Sequence, residues 1–429
     1  MHGARRARSC APEGNGPGRV RSCDARLLRR CVGQWHDTGG SVRPPIRLKV
    51  LHVIPSLSST DGGPSRAIAL MERALSAQGV TVETAATDDD GPGRHNGKPC
   101  ATPLPENGVV RRYFSKRRDF YKAAPSFGEW IGQHVRDYDL VHIHALFSYM
   151  PMAAARAARR AGVPYIVRPL GTLNSYGMAN RRPLLKSLSM RWIEGPALRH
   201  AAAVHFTSED EAVQARMTGV AMREQVIPLG VEIEPFGAAG MRLPRPEAPR
   251  ILFLSRLDPK KNIEGLLDAF ALLLKDLPQA TLVVAGTGEP AYVEALQRRA
   301  QQLHVAASVQ WPGHVQGDAK VAAFANADVF ALPSFSENFG IAAAEALAQG
   351  LPCLLGEGVA LAGDVAQAAA GVAVKPDAAA IALGLQRIIG GGMYASMARN
   401  AASLARDRYS AEAMGIRLKT LYTDILRLT

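Results

Sequence analysis

The chain is poor in cysteine and has no long apolar run. Its 429 residues include five cysteines, which form no C-x-x-C pair and no Cys/His cluster with the spacing of a zinc site. A reduced, cytoplasmic compartment is therefore expected. No segment approaches the roughly 18 consecutive apolar residues of a membrane-spanning helix. A spanning protein is not expected, and attachment to a membrane surface stays open.

Acidic residues are also few. The chain has 51 Lys and Arg residues against 38 Asp and Glu residues, a formal net charge of +13. Residues 1–47 hold ten arginines and three acidic residues, so this stretch carries +7 of that charge. It lacks the apolar segment of a secretory signal. We expect residues 1–45 to be a disordered Arg-rich extension. A nucleic-acid-binding arm, an organelle transit peptide and an over-long reading of the gene start are the alternatives.

Beyond this extension the sequence alternates between strand and helix patterns. A composition of 47% hydrophobic and 21% charged residues is that of a globular protein. The apolar run 46–54 predicts a buried first strand, and apolar residues at helical spacing follow from Ala67 to Leu75. Further strands are predicted at 80–85, 139–144, 164–168 and 203–207, with helices at 151–161 and 183–197. Such alternation predicts an α/β fold with a parallel sheet covered on both faces.

The pattern lapses over residues 233–248, where Pro and Gly are frequent. We place the boundary between two α/β domains there, the first at 46–235 and the second at 236–408. Strands of the second domain are predicted at 250–255, 281–285, 328–332 and 351–355. A final helix at 409–429 is expected to cross back to the first domain. Ligands bind beyond the carboxyl ends of parallel strands, so the cleft between the domains is the expected substrate site.

One acidic run offers a metal-binding pattern. Asp88-Asp89-Asp90 matches D-x-D, which holds divalent cations in some proteins. It precedes Gly91-Pro92-Gly93, so we interpret it as a solvated loop.

Small and cationic residues follow two of the predicted strands. Gly62 and Gly63 open a helix after the first strand, where backbone N–H groups can approach an anion, although an ordinary turn has the same residues. Arg256 and Lys261 follow the strand at 250–255 and can converge on a diphosphate. A solvated charge cluster is the alternative for this pair.

Two carboxylates eight residues apart follow the strand at 328–332. Glu345 falls one turn into a predicted helix on an otherwise apolar face, so its carboxylate needs partners. Sugar or ribose hydroxyls are suitable, because an ionised carboxylate only accepts hydrogen bonds. Glu337 precedes this helix and can address a second set of hydroxyls, while the Phe339 and Gly340 amides point toward a phosphate.

Two histidines close the strand at 139–144. We expect His142 and His144 on opposite faces of the sheet. His144, at the strand end, is either structural or a cleft residue.

Together these residues resemble glycosyltransferase family 4, the retaining nucleotide-sugar enzymes of the GT-B fold, in which two Rossmann-like domains face each other across a cleft. The resemblance covers residues 48–428, and its most specific element is the pair Glu337 and Glu345, with Arg256 and Lys261 upstream. It implies that Arg256 and Lys261 neutralise the donor diphosphate, that Glu337 contacts the transferred sugar, and that Glu345 binds the ribose.

The resemblance also implies roles for residues whose spacing alone assigns none. The loop with Gly62 and Gly63 would close over the diphosphate, and His144 would lie on the sugar and acceptor side. Gly286 would lie by the nucleotide base, and Asn338, Phe339 and Gly340 would line the donor site. Residues 168–173 resemble the acceptor-side loop of polysaccharide members but depart from its Pro-Arg-Gly-Met. The donor would be a nucleoside-diphosphate sugar, with no metal cofactor required.

Two basic clusters in the first domain suggest a membrane surface. One spans residues 111–118. The other is an amphipathic stretch with Arg181, Arg182, Lys186 and Arg191 around Trp192. Basic amphipathic helices lie on anionic membranes, although a solvated basic face has the same pattern.

The sequence thus predicts a cytoplasmic enzyme on the inner face of the membrane that transfers a hexose. Its acceptor would be a saccharide or a lipid-linked sugar in cell-surface polysaccharide or glycolipid biosynthesis. A GT-B epimerase, a catalytically silent relative and a basic nucleic-acid-binding protein are the alternatives. No recognised nucleic-acid module occurs in the sequence.

Overall fold

The computed structural model describes residues 48–58, 63–106, 108–173, 183–233, 245, 247–390 and 392–428. The Arg-rich extension, Gly62, the pair Arg181 and Arg182, and most of the linker lie outside the described residues. The expectations for them, like the domain boundaries, stay predictions.

The first sheet has eight strands and is almost entirely parallel. The strands are β1 Lys49–Val53, β2 Thr81–Thr87, β3 Leu104–Glu106, β4 Val109–Phe114, β5 Leu140–His144, β6 Tyr165–Arg168, β7 Ala203–Phe206 and β8 Glu224–Val226. Their order is β3-β4-β2-β1-β5-β6-β7-β8, and the pairing of β3 with β4 is antiparallel. The edge pair β3 and β4 has no counterpart among the predicted strands.

Helices cover this sheet on both faces. They are α1 Gly63–Ala77, α2 Pro125–His134, α3 Tyr149–Ala161, α4 Pro183–Ser189, α5 Gly195–His200 and α6 Glu209–Arg216. A π-helical turn, Met190–Glu194, joins α4 to α5, and short 3₁₀ turns occur at Phe120–Lys122 and Val135–Asp137. The predicted single helix at 183–197 is therefore interrupted.

The second sheet has six parallel strands. They are β9 Arg250–Leu254, β10 Thr281–Ala285, β11 Val309–Gly313, β12 Val329–Leu332, β13 Cys353–Gly356 and β14 Gly371–Val374, in the order β11-β10-β9-β12-β13-β14. The helices are α7 Ile263–Leu273, α8 Pro290–Gln302, α9 Asp318–Asn326, α10 Ile341–Ala348, α11 Ala362–Gln367, α12 Ala378–Gly390 and α13 Tyr394–Leu404. The predicted α/β fold with parallel sheets is confirmed.

The last helix, α14 Ala411–Leu428, packs on the first sheet. Its buried Leu418 and Tyr422 share a core cluster with Val50 of β1 and Leu75 of α1. A Cβ on Gly415 would lie 2.8 Å from the Ala74 carbonyl oxygen, so glycine permits the close approach of α14 to α1. Because Tyr422 points into this cluster, a residue from the end of the chain contacts the middle of the first sheet.

Three cations of the first basic cluster pair with carboxylates of the acidic run, of α1 and of β2. Asp89 is buried, and its carboxylate lies 2.5 Å from the Lys116 ammonium. Arg111 pairs with Glu72 at 2.5 Å, and Arg112 pairs with Glu83. The expectation of a solvated Asp88-Asp89-Asp90 loop is therefore wrong. The β2–β4 pairing and the packing of α1, which sequence spacing does not reveal, place these cations beside carboxylates.

Candidate active site

Lys261 is placed by a short capped turn after β9. The 3₁₀ turn Pro259–Lys261 begins at Asp258, whose carboxylate accepts a hydrogen bond from the Lys260 N–H at 3.1 Å. Asn262 follows with φ 56°, and its side-chain amide donates to the carbonyls of Pro333 at 3.2 Å and Pro376 at 2.8 Å. This buried asparagine joins the loops after β9, β12 and β14, so it fixes Lys261 at the carboxyl edge of the sheet.

Lys261 and Glu337 form an ion pair at this edge. The Lys261 side chain is only 5% exposed and that of Glu337 is 22% exposed. Burial, together with the positive charges of Lys260 and Arg256, lowers the pKa of the Lys261 ammonium to about 8. Glu337 is held by a bridge to Val359, in which the Glu337 N–H donates to Gly358 O at 2.9 Å. The sequence predicted both residues for one site, and the structure brings them into contact.

Glu345 has a partner that the sequence did not indicate. It lies in the second turn of α10, and its Oε1 is 2.6 Å from the Nζ of Lys320 on α9. Lys320 therefore supplies the partner that the Glu345 carboxylate needs on this otherwise apolar face. Both side chains remain partly exposed, at 19% for Lys320 and 27% for Glu345, so the carboxylate also has room for ligand hydroxyls. Lys320 was missed because it is 25 residues away, with no local pattern linking the two.

Arg256 lines a pocket between the loops after β9 and β10. The guanidinium is exposed, and the pocket of about 620 Å³ also includes Thr287, Gly288 and Tyr292. Gly286 lies at the base of these loops with φ 146°, where a Cβ would lie 1.8 Å from the Ser255 carbonyl oxygen. Only glycine fits there. The pocket is thus open to a ligand that Arg256 can reach.

The loops after β6 and β12 touch. A Cβ on Gly171, in the predicted acceptor-side loop, would lie 1.9 Å from Nδ2 of Asn338, in the predicted donor loop. Phe339 is buried, with its ring 5.7 Å from that of Tyr409, and Gly340 is the N-cap residue of α10, with φ 87°. Gly63, the described member of the glycine pair, is the first residue of α1. The residues predicted for acceptor and donor sides therefore meet at one contact.

His144 is fully buried among other imidazoles. The expectation that His142 and His144 face opposite sides is wrong: their ring centroids are 4.3 Å apart. Residues two apart on a strand share a face, because successive side chains alternate. His144 Nε2 lies 3.1 Å from His52 Nδ1. Its predicted role on the acceptor side stays a prediction.

Two family models match the chain. The model described as "Glycosyl transferase 4-like domain" matches residues 62–230, and the one described as "Glycosyl transferases group 1" matches residues 242–404. The first match spans β2 to β8 of the first sheet, and the second spans β9 to β14, the whole second sheet.

Curated relatives are similar over part of their length. The phosphatidyl-myo-inositol mannosyltransferase of Mycobacterium tuberculosis is 29% identical over 257 residues, 58% of this chain and 61% of that protein. The alpha-monoglucosyldiacylglycerol synthase of Streptococcus pneumoniae is 32% identical over 146 residues, 32% of this chain and 33% of that protein. The matched region thus spans about three fifths of the first relative and a third of the second.

Solved structures share the fold. Sucrose-phosphate synthase from Thermosynechococcus elongatus has a TM-score of 0.69 at 21% identity, covering 89% of this chain and 100% of that one. Anabaena HepE in complex with UDP-glucose has a TM-score of 0.66 at 19% identity, covering 88% and 100%. The predicted GT-B fold is confirmed.

Proposed function

Because the chain belongs to the group 1 glycosyltransferases, we propose that it transfers a hexose from a nucleoside-diphosphate sugar to a saccharide or lipid-linked acceptor. The observation that carries this proposal is the contact between Lys261 and Glu337 at the carboxyl edge of the second sheet. A buried ammonium beside a carboxylate provides a cation for the diphosphate next to an acceptor for sugar hydroxyls.

The negative charge of the leaving group must be stabilised by the protein. Departure of a nucleoside diphosphate concentrates negative charge on the phosphate oxygens, and fixed cations stabilise that charge. Arg256 at the open pocket and the buried Lys261 are suited to this role. We expect these cations to suffice without a metal cofactor. Glu345, paired with Lys320, would accept hydrogen bonds from the ribose.

We propose retention of configuration through attack on the same face of the sugar. The bond between the anomeric carbon and the diphosphate oxygen breaks while a bond to the acceptor oxygen forms. The proton of the acceptor hydroxyl passes to an oxygen of the leaving phosphate. Analysis of the anomeric configuration of the product tests this proposal, and an inverted product contradicts it.

A panel of nucleotide sugars measured by thermal shift tests the donor. Ligand at 100 times its Kd stabilises a protein by about 2.7 kcal/mol, so sugars of one nucleotide should raise the melting temperature while free hexose does not. UDP sugars come first, because HepE was solved with UDP-glucose. If no nucleotide sugar shifts the melting temperature, the proposed function is wrong. Turnover without an acceptor would instead favour an epimerase or a hydrolytic relative.

We also propose that the first sheet's α4 and the following π-helical turn bind an anionic membrane surface. Leu185, Leu188 and Trp192 are exposed there, Trp192 to 68%. Lys186 and Arg191 lie among them, and the Arg191 guanidinium stands 5.5 Å from the Trp192 ring centroid. Exposed apolar side chains beside cations are typical of interfacial helices. The names of two relatives contain lipids, phosphatidyl-myo-inositol and monoglucosyldiacylglycerol.

Flotation with liposomes tests this surface. The protein should float with vesicles of phosphatidylcholine and phosphatidylglycerol and remain at the bottom with phosphatidylcholine alone. The double variant Leu188→Ser/Trp192→Ser should lose flotation. The control Leu383→Ser removes a leucine of α12, on the second sheet, that is 67% exposed, and this variant should float as the parent protein does. Equal flotation of the double variant contradicts the proposed surface.

Among the described residues, no helix has the length and apolarity of a membrane span.

Three ion pairs in the first basic cluster argue against nucleic-acid binding there. The cluster at 111–118 is the more aromatic of the two basic segments, and its Arg111, Arg112 and Lys116 are committed to Glu72, Glu83 and Asp89. A nucleic-acid shift assay on the chain without residues 1–45 distinguishes this alternative from the transferase.

A further inference from the structure

Four histidines and one tyrosine form a fully buried polar cluster in the first sheet. His52 lies on β1, His142 and His144 on β5, and His205 on β7, while Tyr422 reaches the cluster from α14. Each of these side chains is 0% exposed. Buried polar groups require hydrogen-bond partners, and here most of the partners are other members of the cluster.

The contacts form a single chain. His205 Nε2 lies 2.9 Å from the Ile227 carbonyl oxygen, and His205 Nδ1 lies 3.4 Å from His142 Nε2. His142 Nδ1 lies 2.7 Å from the Tyr422 hydroxyl, which is 3.5 Å from His52 Nε2. His52 Nδ1 lies 3.1 Å from His144 Nε2. Ile227 therefore stands at one end and His144 at the other.

The imidazoles of this chain are neutral. Burial lowers the pKa of each histidine well below its usual range, and the nearby Arg168 guanidinium lowers them further. A neutral imidazole has one N–H donor and one acceptor nitrogen. Arg168 is itself fully buried beside His144, so a divalent cation among these rings would meet an adjacent positive charge.

The carbonyl at one end sets the direction of every bond. A carbonyl only accepts, so His205 Nε2 carries the proton and its Nδ1 accepts from His142 Nε2. His142 Nδ1 is then an acceptor, and the Tyr422 hydroxyl donates to it. The hydroxyl oxygen in turn accepts from His52 Nε2. His52 Nδ1 is left as an acceptor and receives the proton of His144 Nε2.

The family resemblance already implies that His144 lies on the sugar side. We propose that this chain of buried side chains, which runs through Tyr422 of α14, fixes His144 in the Nε2–H tautomer, so that its Nδ1 is an unprotonated acceptor for a sugar hydroxyl. His144 Nδ1 is buried and has no hydrogen-bond partner among the described residues. His144 is the last residue of β5, at the edge where ligands bind in parallel sheets. The substrate contact rests on the proposed function, whereas the tautomer does not. Tyr422, His142, His52 and His205 act as positioning residues.

The tautomer is measured directly by long-range ¹H–¹⁵N correlation spectra of the protein labelled in its histidines, with His144 assigned from the His144→Gln variant. We expect the Nδ1 of His144 to show the shift of an unprotonated nitrogen. Addition of a nucleotide sugar and an acceptor should move that shift. A protonated Nδ1 overturns the proposal whether or not the protein is active. If Nδ1 is unprotonated but no sugar moves its shift, the tautomer stands and the substrate contact is wrong.

Tyr422→Phe tests the origin of the tautomer. The variant removes the hydroxyl but keeps the ring. The direction of the hydrogen bond between His52 and His144 is then no longer fixed, so two tautomers of His144 should be seen. Loss of one hydrogen bond in a positioning chain should lower kcat about fivefold, with the donor KM unchanged. Tyr165→Phe is the control, because Tyr165 is a buried residue of β6 in the same sheet whose hydroxyl donates to Ala197 O, outside the histidine cluster. A single His144 tautomer in Tyr422→Phe contradicts the chain.

Discussion

Lys261→Ala should lower the rate of sugar transfer by about 10²–10³-fold and leave the protein folded. The Lys261 ammonium is buried next to Glu337, and its removal takes away a fixed cation where the diphosphate charge develops. The measurement is release of nucleoside diphosphate at saturating donor and acceptor. Glu337→Ala should reduce the rate of transfer at least as strongly. Near-normal turnover in either variant contradicts the site assignment.

Lys260→Ala is the matched control. Lys260 is adjacent in sequence and has the same charge, but its side chain is exposed. If only the buried cation stabilises the leaving group, this control keeps most of its activity. A loss as large as that of Lys261→Ala would show that the general positive charge of the loop matters rather than the position of Lys261.

The pH dependence follows from the lowered pKa of Lys261. Without donor, the ammonium loses its proton as pH rises through about 8, so donor affinity should fall above this pH. Stability should change in the opposite direction. Between about 8 and the usual 10.5, the unfolded state binds more protons at this lysine than the folded state, so this group makes unfolding less favourable as pH rises. Lys261→Ala should lack both trends.

Glu211→Ala should destabilise the protein by about 3–5 kcal/mol, because the buried Gly171 and Thr207 N–H groups lose their acceptor at about 1–3 kcal/mol each, and buried Arg168 loses a nearby opposite charge. Arg168 is fully buried, and two of its nitrogens have no hydrogen-bond partner among the described residues. Burial lowers the pKa of Arg168 to about 10, and the Glu211 carboxylate acts against that shift. Glu211 also accepts hydrogen bonds from the Gly171 N–H at 2.7 Å and the Thr207 N–H at 2.8 Å. Its loss therefore frees two loops at the cleft edge.

Chemical denaturation of the variant and of Glu209→Ala measures this effect. Glu209 lies in the first turn of the same helix, α6, but is exposed, so its replacement should change the free energy of unfolding by less than about 1 kcal/mol. An equally small change for Glu211→Ala would mean that Arg168 does not depend on this carboxylate.

Residue type at strand ends was sufficient to predict much of the candidate site. Arg256 and Lys261 follow β9, and Glu337 and Glu345 follow β12; these strands are neighbours in the sheet. Parallel strands end at one edge, so residues after neighbouring strands come together. The wrong prediction that His142 and His144 lie on opposite faces of the sheet came from treating residues two apart on a strand as if they were adjacent. The partner of Glu345 could not be predicted, because the position of α9 beside α10 depends on packing between whole elements.

By itself, the sequence determined the alternation of strands and helices, and with it the parallel sheets and the residues at their carboxyl ends. Those features depend on hydrophobic periodicity and turn residues, which act locally. Only the tertiary structure decided which charges meet. It set Lys116 against Asp89, Lys320 against Glu345 and the hydroxyl of Tyr422 against His142, which is 280 residues away. Such contacts depend on strand order and helix packing. The same kinds of charged residue therefore form buried ion pairs in one place and leave the Arg256 guanidinium exposed at an open pocket in another.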